Sequence, residues 1–246
     1  NWFQGVDVSR LHKVSEKAAG LITEEVKSVE QNKQLENPDA RVSLDILSTE
    51  SMLTEVADSF LGLGTGGFER FGRYYWEFAE KLSCWDWLQS SSQNSEERFN
   101  GFSLMVSWDH ATDRVRGMDK LYRDRIHNQD QSGQKAWNKK GVSIALVGGL
   151  RSSLYLGNRY DKSMAAITPH NVENLNAIYA YCTSPKFHDQ VREIDQNIIV
   201  ANGTLVKTPF DLEHWTKVAE EQYPNGLPEP YTNDPTQWIF HGHPCG

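Results

Sequence analysis

The residues Gly62, Gly64 and Gly67, in the stretch "GLGTGGFERFGRYYWEF", satisfy the spacing G-x-G-x-x-G. In a nucleotide-binding loop that spacing lets backbone amides close on a phosphate at a helix start. Such a loop needs a strand before it, a helix N-terminus after it and an acid about twenty residues on. Here the segment before Gly62 has a helical pattern and the segment after Gly67 has no cap and is dense with aromatics. Asp86 lies inside "CWDWL", no obvious strand end. The phosphate use fails on context, and the glycines are expected to form an irregular turn or a close approach. His241, His243 and Cys245 alternate in a Pro/Gly-rich tail without the spacing of a structural zinc site. Cys182 falls in an apolar helical run, which reads as core and not as a nucleophile. There is no G-x-S-x-G and no paired-carboxylate signature. What remains is binding. Arg70 and Arg73, interleaved with Phe71, Tyr74, Tyr75 and Trp76, have the chemistry for polyanion or base contact. Simple burial of the aromatics in a core hairpin is the competing reading.

The chain of 246 residues suffices for one large domain or two small ones, and its 38% hydrophobic and 24% charged content is ordinary globular composition. No apolar run approaches the roughly 20 residues that span a bilayer, and no signal sequence opens the chain. The three cysteines, Cys84, Cys182 and Cys245, are odd in number and without C-x-x-C spacing, so reduced thiols in a cytoplasm are expected. Asn1 as first residue and the Pro-rich end "PEPYTNDPTQWIFHGHPCG" read as those of an excised piece. The net charge of −8 argues against nucleic acid at first. From Ala111 to Lys162, however, eleven basic residues face five acids, a local balance of +6, which leaves −14 for the remainder. That asymmetry fits a polyanion-facing surface on an acidic body, or a solvated charged face.

The elements that must position these residues read as an α+β fold. Val8–Glu30 has helical periodicity, with Ser9 as its cap, and a second helical pattern runs from about Ser48 through Met52, Leu53, Val56, Phe60 and Leu61. Phe102 to Trp108, Gly141 to Gly148 and Ser153 to Pro169 read as strands. Helices are expected over Asn174–Ser184, after Pro185, and over Asp211–Tyr223. "NIIVANGTLVKTPF" reads as strand, turn and strand. This divides the chain into a helical segment (1–60), a mixed α/β domain (61–210) and a helix with a Pro-rich connector (211–246).

"GLGTGGFERFGRYYWE" resembles the G-x-x-T-G-D-x-x-R-F-x-R-x-x-W-E segment that follows the catalytic domain of large fused adenine-specific DNA methylases, the type IIG restriction–modification enzymes and related phage-exclusion methylases. "WNKKGVSIALVGGLRSSLYLGNRYDKSMAAITP", "NLNAIYAYCTSPKFHDQVREIDQNIIVANGTLVKTPFDLEHW" and "YPNGLPEPYTNDPTQWIFHGHP" are similar to that family's specificity region, so the resemblance covers about Phe60 to Pro244. The matching residues are Thr65, Gly66, Arg70, Phe71, Arg73 and Trp76, then Arg151, Tyr155, Asn202, Thr204, Leu205, Lys207 and Phe210. The family's aspartate after T-G is Gly67 here.

The resemblance implies a target-recognition region that reads double-stranded DNA for a methyltransferase domain upstream, with Arg70, Arg73, Lys139, Lys140, Arg151, Arg159 and Lys162 as candidate DNA contacts and Thr65, Gly66, Phe71, Trp76, Asn202 and Thr204 as motif residues. Neither the N-P-P-[YF] tetrad nor the cofactor-binding glycine motif is found. The fragment is therefore expected to carry no catalysis, no metal and no cofactor, with S-adenosylmethionine bound by the parent, a site-specific adenine methyltransferase with or without endonuclease activity. The rival reading is a protein-interaction or scaffold module of a phage-defence complex that touches DNA incidentally. A small nucleotide-binding enzyme, the third reading, rests on the glycine spacing alone.

Overall fold

The computed structural model describes residues 1–8, 11–36, 42, 44, 51–79, 83–91, 99–230, 232 and 234–236. Backbone contacts divide the chain into two compact units, Asn1–Ser51 and Met52–Gly246.

In the first unit, β1 (Trp2–Val6) and β2 (Val26–Glu30) pair antiparallel, from Trp2↔Glu30 to Val6↔Val26, with α1 (Val14–Thr23) between them. The continuous helix expected over Val8–Glu30 is thus confined to ten residues. Its last apolar pair, Val26 and Val29, belongs to a strand, because β-branched residues favour extended backbone and the pairing with β1 decides. Lys13 occupies the cap position, where its amide donates to the Glu16 carboxylate at 3.3 Å. Ser9 lies outside the described residues.

The second unit begins with a 3-10 turn, Leu53–Glu55, and β3 (Ala57–Leu61). The second helix expected from Ser48 is overturned here. Leu53, Val56, Phe60 and Leu61 do fit a helical period, but β3 pairs with a distant strand from Ala57↔Pro169 to Leu61↔Ala165. Ser48 itself is outside the described residues. There follow α2 (Phe68–Phe71), β4 (Gly72–Tyr74), β5 (Trp85–Gln89), β6 (Leu104–Asp109), β7 (Arg114–Val115) and α3 (Lys120–Arg125). The unit continues with β8 (Gly141–Ala145), β9 (Ser152–Tyr155), β10 (Arg159–Tyr160), β11 (Met164–Pro169), α4 (Leu175–Cys182), α5 (Pro185–Ile194) and α6 (Leu212–Gln222). The α+β class is as expected. Strand β3 pairs with β11, and α6 packs on α4.

One sheet has the order β3-β11-β8-β9, antiparallel throughout. The other runs β10-β5-β6-β4, with β7 on β6; only β10 and β5 are parallel. Strand β11 is buried on both faces, and its alternation separates two cores. Ala165 and Ile167 join Val142, Ile144, Ile178, Phe187, Phe210 and Trp215 in the helical core. Met164 and Ala166 join Phe71, Val106, Trp108, Trp137 and Tyr160 in the core under the second sheet.

Side-chain caps fix the helix starts. Ser184 accepts from the Phe187 amide at 3.3 Å ahead of Pro185, and Asp211 accepts from the His214 amide at 3.0 Å. "NIIVANGTLVKTPF" is not the expected strand–turn–strand. It holds a 3-10 turn, Asn202–Thr204, flanked by the isolated bridges Val147↔Ile199 and Met52↔Pro209. The Asp195 carboxylate accepts from the amides of Asn197 and Ala201, both at 3.0 Å, so a side chain takes donors that a ladder would need.

Candidate nucleic-acid interface

The glycine loop joins β3 to α2, and four of its amides are spent inside the protein. Gly62 donates to the Met164 carbonyl (3.3 Å), Leu63 to that of Tyr160 (2.8 Å), Gly64 to that of Gln129 (3.0 Å) and Gly67 to the Thr65 hydroxyl (3.4 Å). A phosphate cradle needs such amides free and convergent. The glycines serve close approach instead. A Cβ on Gly62 would sit 2.1 Å from the Asp161 carbonyl oxygen, and Gly66 adopts φ +71° beside Ile126 and Tyr122.

The motif residues therefore hold the loop in place. Thr65 is 9% exposed and makes the turn bond to Gly67. Asn202 donates through Nδ2 to the Ser59 carbonyl at 3.1 Å, tying the 201–210 segment to β3, and Thr204 lies in the 3-10 turn beside it. Leu205 and Phe210 are buried. Gly67, where the family carries aspartate, occupies the N-cap of α2 with no side-chain cap.

After the loop the chain forms the single turn α2. Phe71 points into the core, with its ring 5.3 Å from that of Tyr122, and Arg70 points out. The Arg70 guanidinium lies 5.3 Å from the centre of the Phe71 ring and 5.2 Å from that of Tyr122. Arg125 covers the same Tyr122 ring at 4.5 Å. Neither arginine forms an ion pair among the described residues. Lys162 is exposed next to the loop, its amide bonded to the Leu63 carbonyl at 3.0 Å. Arg70, Arg125 and Lys162 thus gather around one loop. Tyr122 and Arg125 were not among the expected contacts; their three-residue spacing on α3, which puts both on one helix face, was the available signal.

The other expected contacts are placed differently. Arg73 donates to the Glu69 and Gly72 carbonyls at 2.8 and 2.6 Å and pairs with Glu77 at 3.6 Å, so it braces its own turn. Arg159 lies between the indoles of Trp108 and Trp137, at 4.8 and 4.9 Å, and pairs with Asp113 (2.7 Å) and Asp86 (3.6 Å). It ties β10 to Asp86 on β5 and Trp108 on β6 within the second sheet. Lys139 and Lys140 line a separate cleft of about 790 Å³ with Asp58, Thr168, His170 and Asn171, and Lys140 pairs with Glu229 at 2.6 Å. Arg151 is half-buried at the β8–β9 turn.

The local +6 balance overstates the free positive surface. Asp130, fully buried, accepts from Arg114 at 2.8 and 2.9 Å and from Arg123 at 3.3 Å, and Lys120 pairs with Asp124 at 2.6 Å. Burial pushes the Cys182 thiol far above its ordinary range, which removes it as a nucleophile. His241, His243 and Cys245 lie outside the described residues. Among the described residues no helix is long and apolar enough to cross a membrane.

No protein-family model matches the chain. No curated protein matches it either. Among solved structures the chain is similar to the type IIL restriction–modification enzyme MmeI in complex with DNA, with a TM-score of 0.43 and 10% identity over 91% of this chain and 35% of that one. It is also similar to the HsdS subunit from Thermoanaerobacter tengcongensis, with a TM-score of 0.34 and 10% identity over 80% of this chain and 44% of that one. The chain spans less than half the length of either.

Proposed function

We propose that this chain reads double-stranded DNA for an S-adenosylmethionine-dependent adenine-N6 methyltransferase domain of the same polypeptide, in restriction–modification or phage defence, and that the surface around the glycine loop faces the DNA. The observation that carries this reading is the placement of Arg70 and Arg125 over the half-buried ring of Tyr122, with Lys162 beside the same glycine loop, and none of the three has an acidic partner among the described residues. Cations placed this way can neutralise phosphates, and an arginine can also grip guanine in the major groove. The family motif supplies the second support: its Thr65 and Phe71 hold the loop and α2, and thereby aim Arg70 outward. Methyl transfer belongs to the other domain, which would hold the cofactor and the extruded adenine.

The test is binding of a labelled duplex across a salt series. Phosphate neutralisation gives a steep fall of affinity with salt, and the acidic remainder of the chain holds the dissociation constant at about 10⁻⁶ M or weaker at physiological salt. The rival scaffold reading is favoured by exposed Val147, Ile198 and Ile199, which bring apolar side chains together at the bridge between the β8–β9 turn and the 198–200 segment. Docking of a protein there gives a shallow salt slope and no duplex binding.

A further inference from the structure

Beyond α2 the chain displays two large aromatic rings that no core absorbs. Trp76 is 60% exposed and Tyr74 is 41% exposed, and their rings stack at 4.5 Å with planes 14° apart. An exposed tryptophan on a flexible loop would say little. This one is held rigidly. Tyr74 is pinned in the β4–β6 register opposite Leu104, and the Tyr75 amide donates to the Ser103 carbonyl at 3.1 Å. The Glu77 carboxylate accepts from the Tyr74 amide at 3.0 Å, closing the 3-10 turn that carries Trp76. Tyr75 braces the indole edge-on at 5.2 Å, and Phe68 braces Tyr74 at 6.1 Å.

We infer that the Tyr74–Trp76 stack is a platform for an unstacked nucleobase of the bound DNA. Three observations support that occupant. The stack already has the offset-parallel geometry that a base would extend, because every base offers a π-face to a rigid indole. Phe68, which touches Tyr74, shares the four-residue α2 with Arg70, so the platform adjoins the cationic cluster that the phosphates would meet. Glu77, the acid nearest the indole in sequence, is offset by Arg73 at 3.6 Å, although Glu69 shares α2 with Arg70. This inference rests on the DNA-binding reading above and specifies what the aromatic half of the motif contacts.

The experiment compares two probes, a fully paired duplex and the same duplex with one unpaired base, for the 246-residue chain and its Trp76→Ala, Trp76→Phe and Arg70→Ala variants. The platform predicts that Trp76→Ala weakens binding to the unpaired-base probe roughly 5- to 100-fold, with little change on the paired duplex. Trp76→Phe, which keeps an aromatic face, retains most of the binding, and Arg70→Ala weakens both probes together. Thermal melting of each variant establishes that it is folded. Equal binding of both probes by the parent chain, or Trp76→Ala weakening both equally, overturns the platform while leaving the DNA reading standing. Failure of the parent chain to bind either probe overturns both.

Discussion

Replacing Asp130 by asparagine should melt the second unit well before it affects any DNA contact. Asp130 is fully buried and accepts three bonds, from Arg114 Nε and Nη2 at 2.9 and 2.8 Å and from Arg123 Nε at 3.3 Å. Asparagine keeps the volume, so no cavity confuses the result, but it removes the charge and turns an amide donor toward two guanidinium groups. Breaking a buried pair by removing one partner costs about 3–5 kcal/mol. The arginine side chains are 20% and 21% exposed, so water reaches them in part and the lower end, ~3 kcal/mol, is the expected loss. For a unit of this size that lowers the melting temperature by roughly 6–12 °C. Calorimetric or circular-dichroism melting reads the shift, and duplex affinity is measured at a temperature where both proteins are folded. A loss under about 1 kcal/mol would refute the idea that these cations are structural. So would weakened DNA binding by the folded variant, since Arg114 and Arg123 would then belong to the interface.

Three further outcomes follow from the same geometry. Gly67→Asp places a capping carboxylate at an N-cap where a new Cβ meets only the Tyr122 hydroxyl at 3.4 Å, and φ is extended at 177°; it should stabilise by about 0.5–2 kcal/mol in urea unfolding, and a loss would refute the expectation that the aspartate caps α2. Phe71→Ala empties a buried site against Tyr122 and should cost about 3–5 kcal/mol, whereas a cost near zero would place the ring outside the core. Burial pushes the Asp195 carboxyl up, but bonds from the Ala201 and Asn197 amides, the Asn197 side chain and the Arg192 charge outweigh it and hold the carboxyl below its ordinary range. That stability is present above the unfolded value of about 3.9 and is lost as pH falls through the folded value, so Asp195→Asn should destabilise at neutral pH and lose its disadvantage in acid. Urea midpoints at both extremes check this, and an equal gap at the two would contradict it.

Much of the second unit was legible because its local signals agree. Strands β8 and β11 carry apolar runs bounded by glycine or proline, and α5 and α6 carry Ser184 and Asp211 at their caps. The misread segments are those where local period and long-range pairing compete. Met52–Leu61 fits a helical period, yet Ala57–Leu61 is an edge strand because β11 lies over a hundred residues away and leaves no trace in the local pattern. The site divides in the same way. Arg70 was visible beside its aromatics. For Arg159, named as a candidate DNA contact, nothing nearby in sequence announces Trp108 and Trp137 on either side of its guanidinium. Tyr122 and Arg125 were hidden in a charged stretch whose Arg114 and Arg123 turn inward to Asp130.

The most direct test of the proposed interface is the salt dependence of duplex binding for the parent chain and for the Arg70→Ala/Arg125→Ala/Lys162→Ala variant. Each phosphate contact contributes about 0.9 to the slope of log affinity against log salt. If the three cations around the glycine loop meet phosphates, the slope becomes shallower by roughly two to three in the variant, with melting within a few degrees of the parent because none of the three forms an ion pair among the described residues. An unchanged slope in a folded triple variant would contradict the account and move the DNA, if it binds at all, to another face of the molecule.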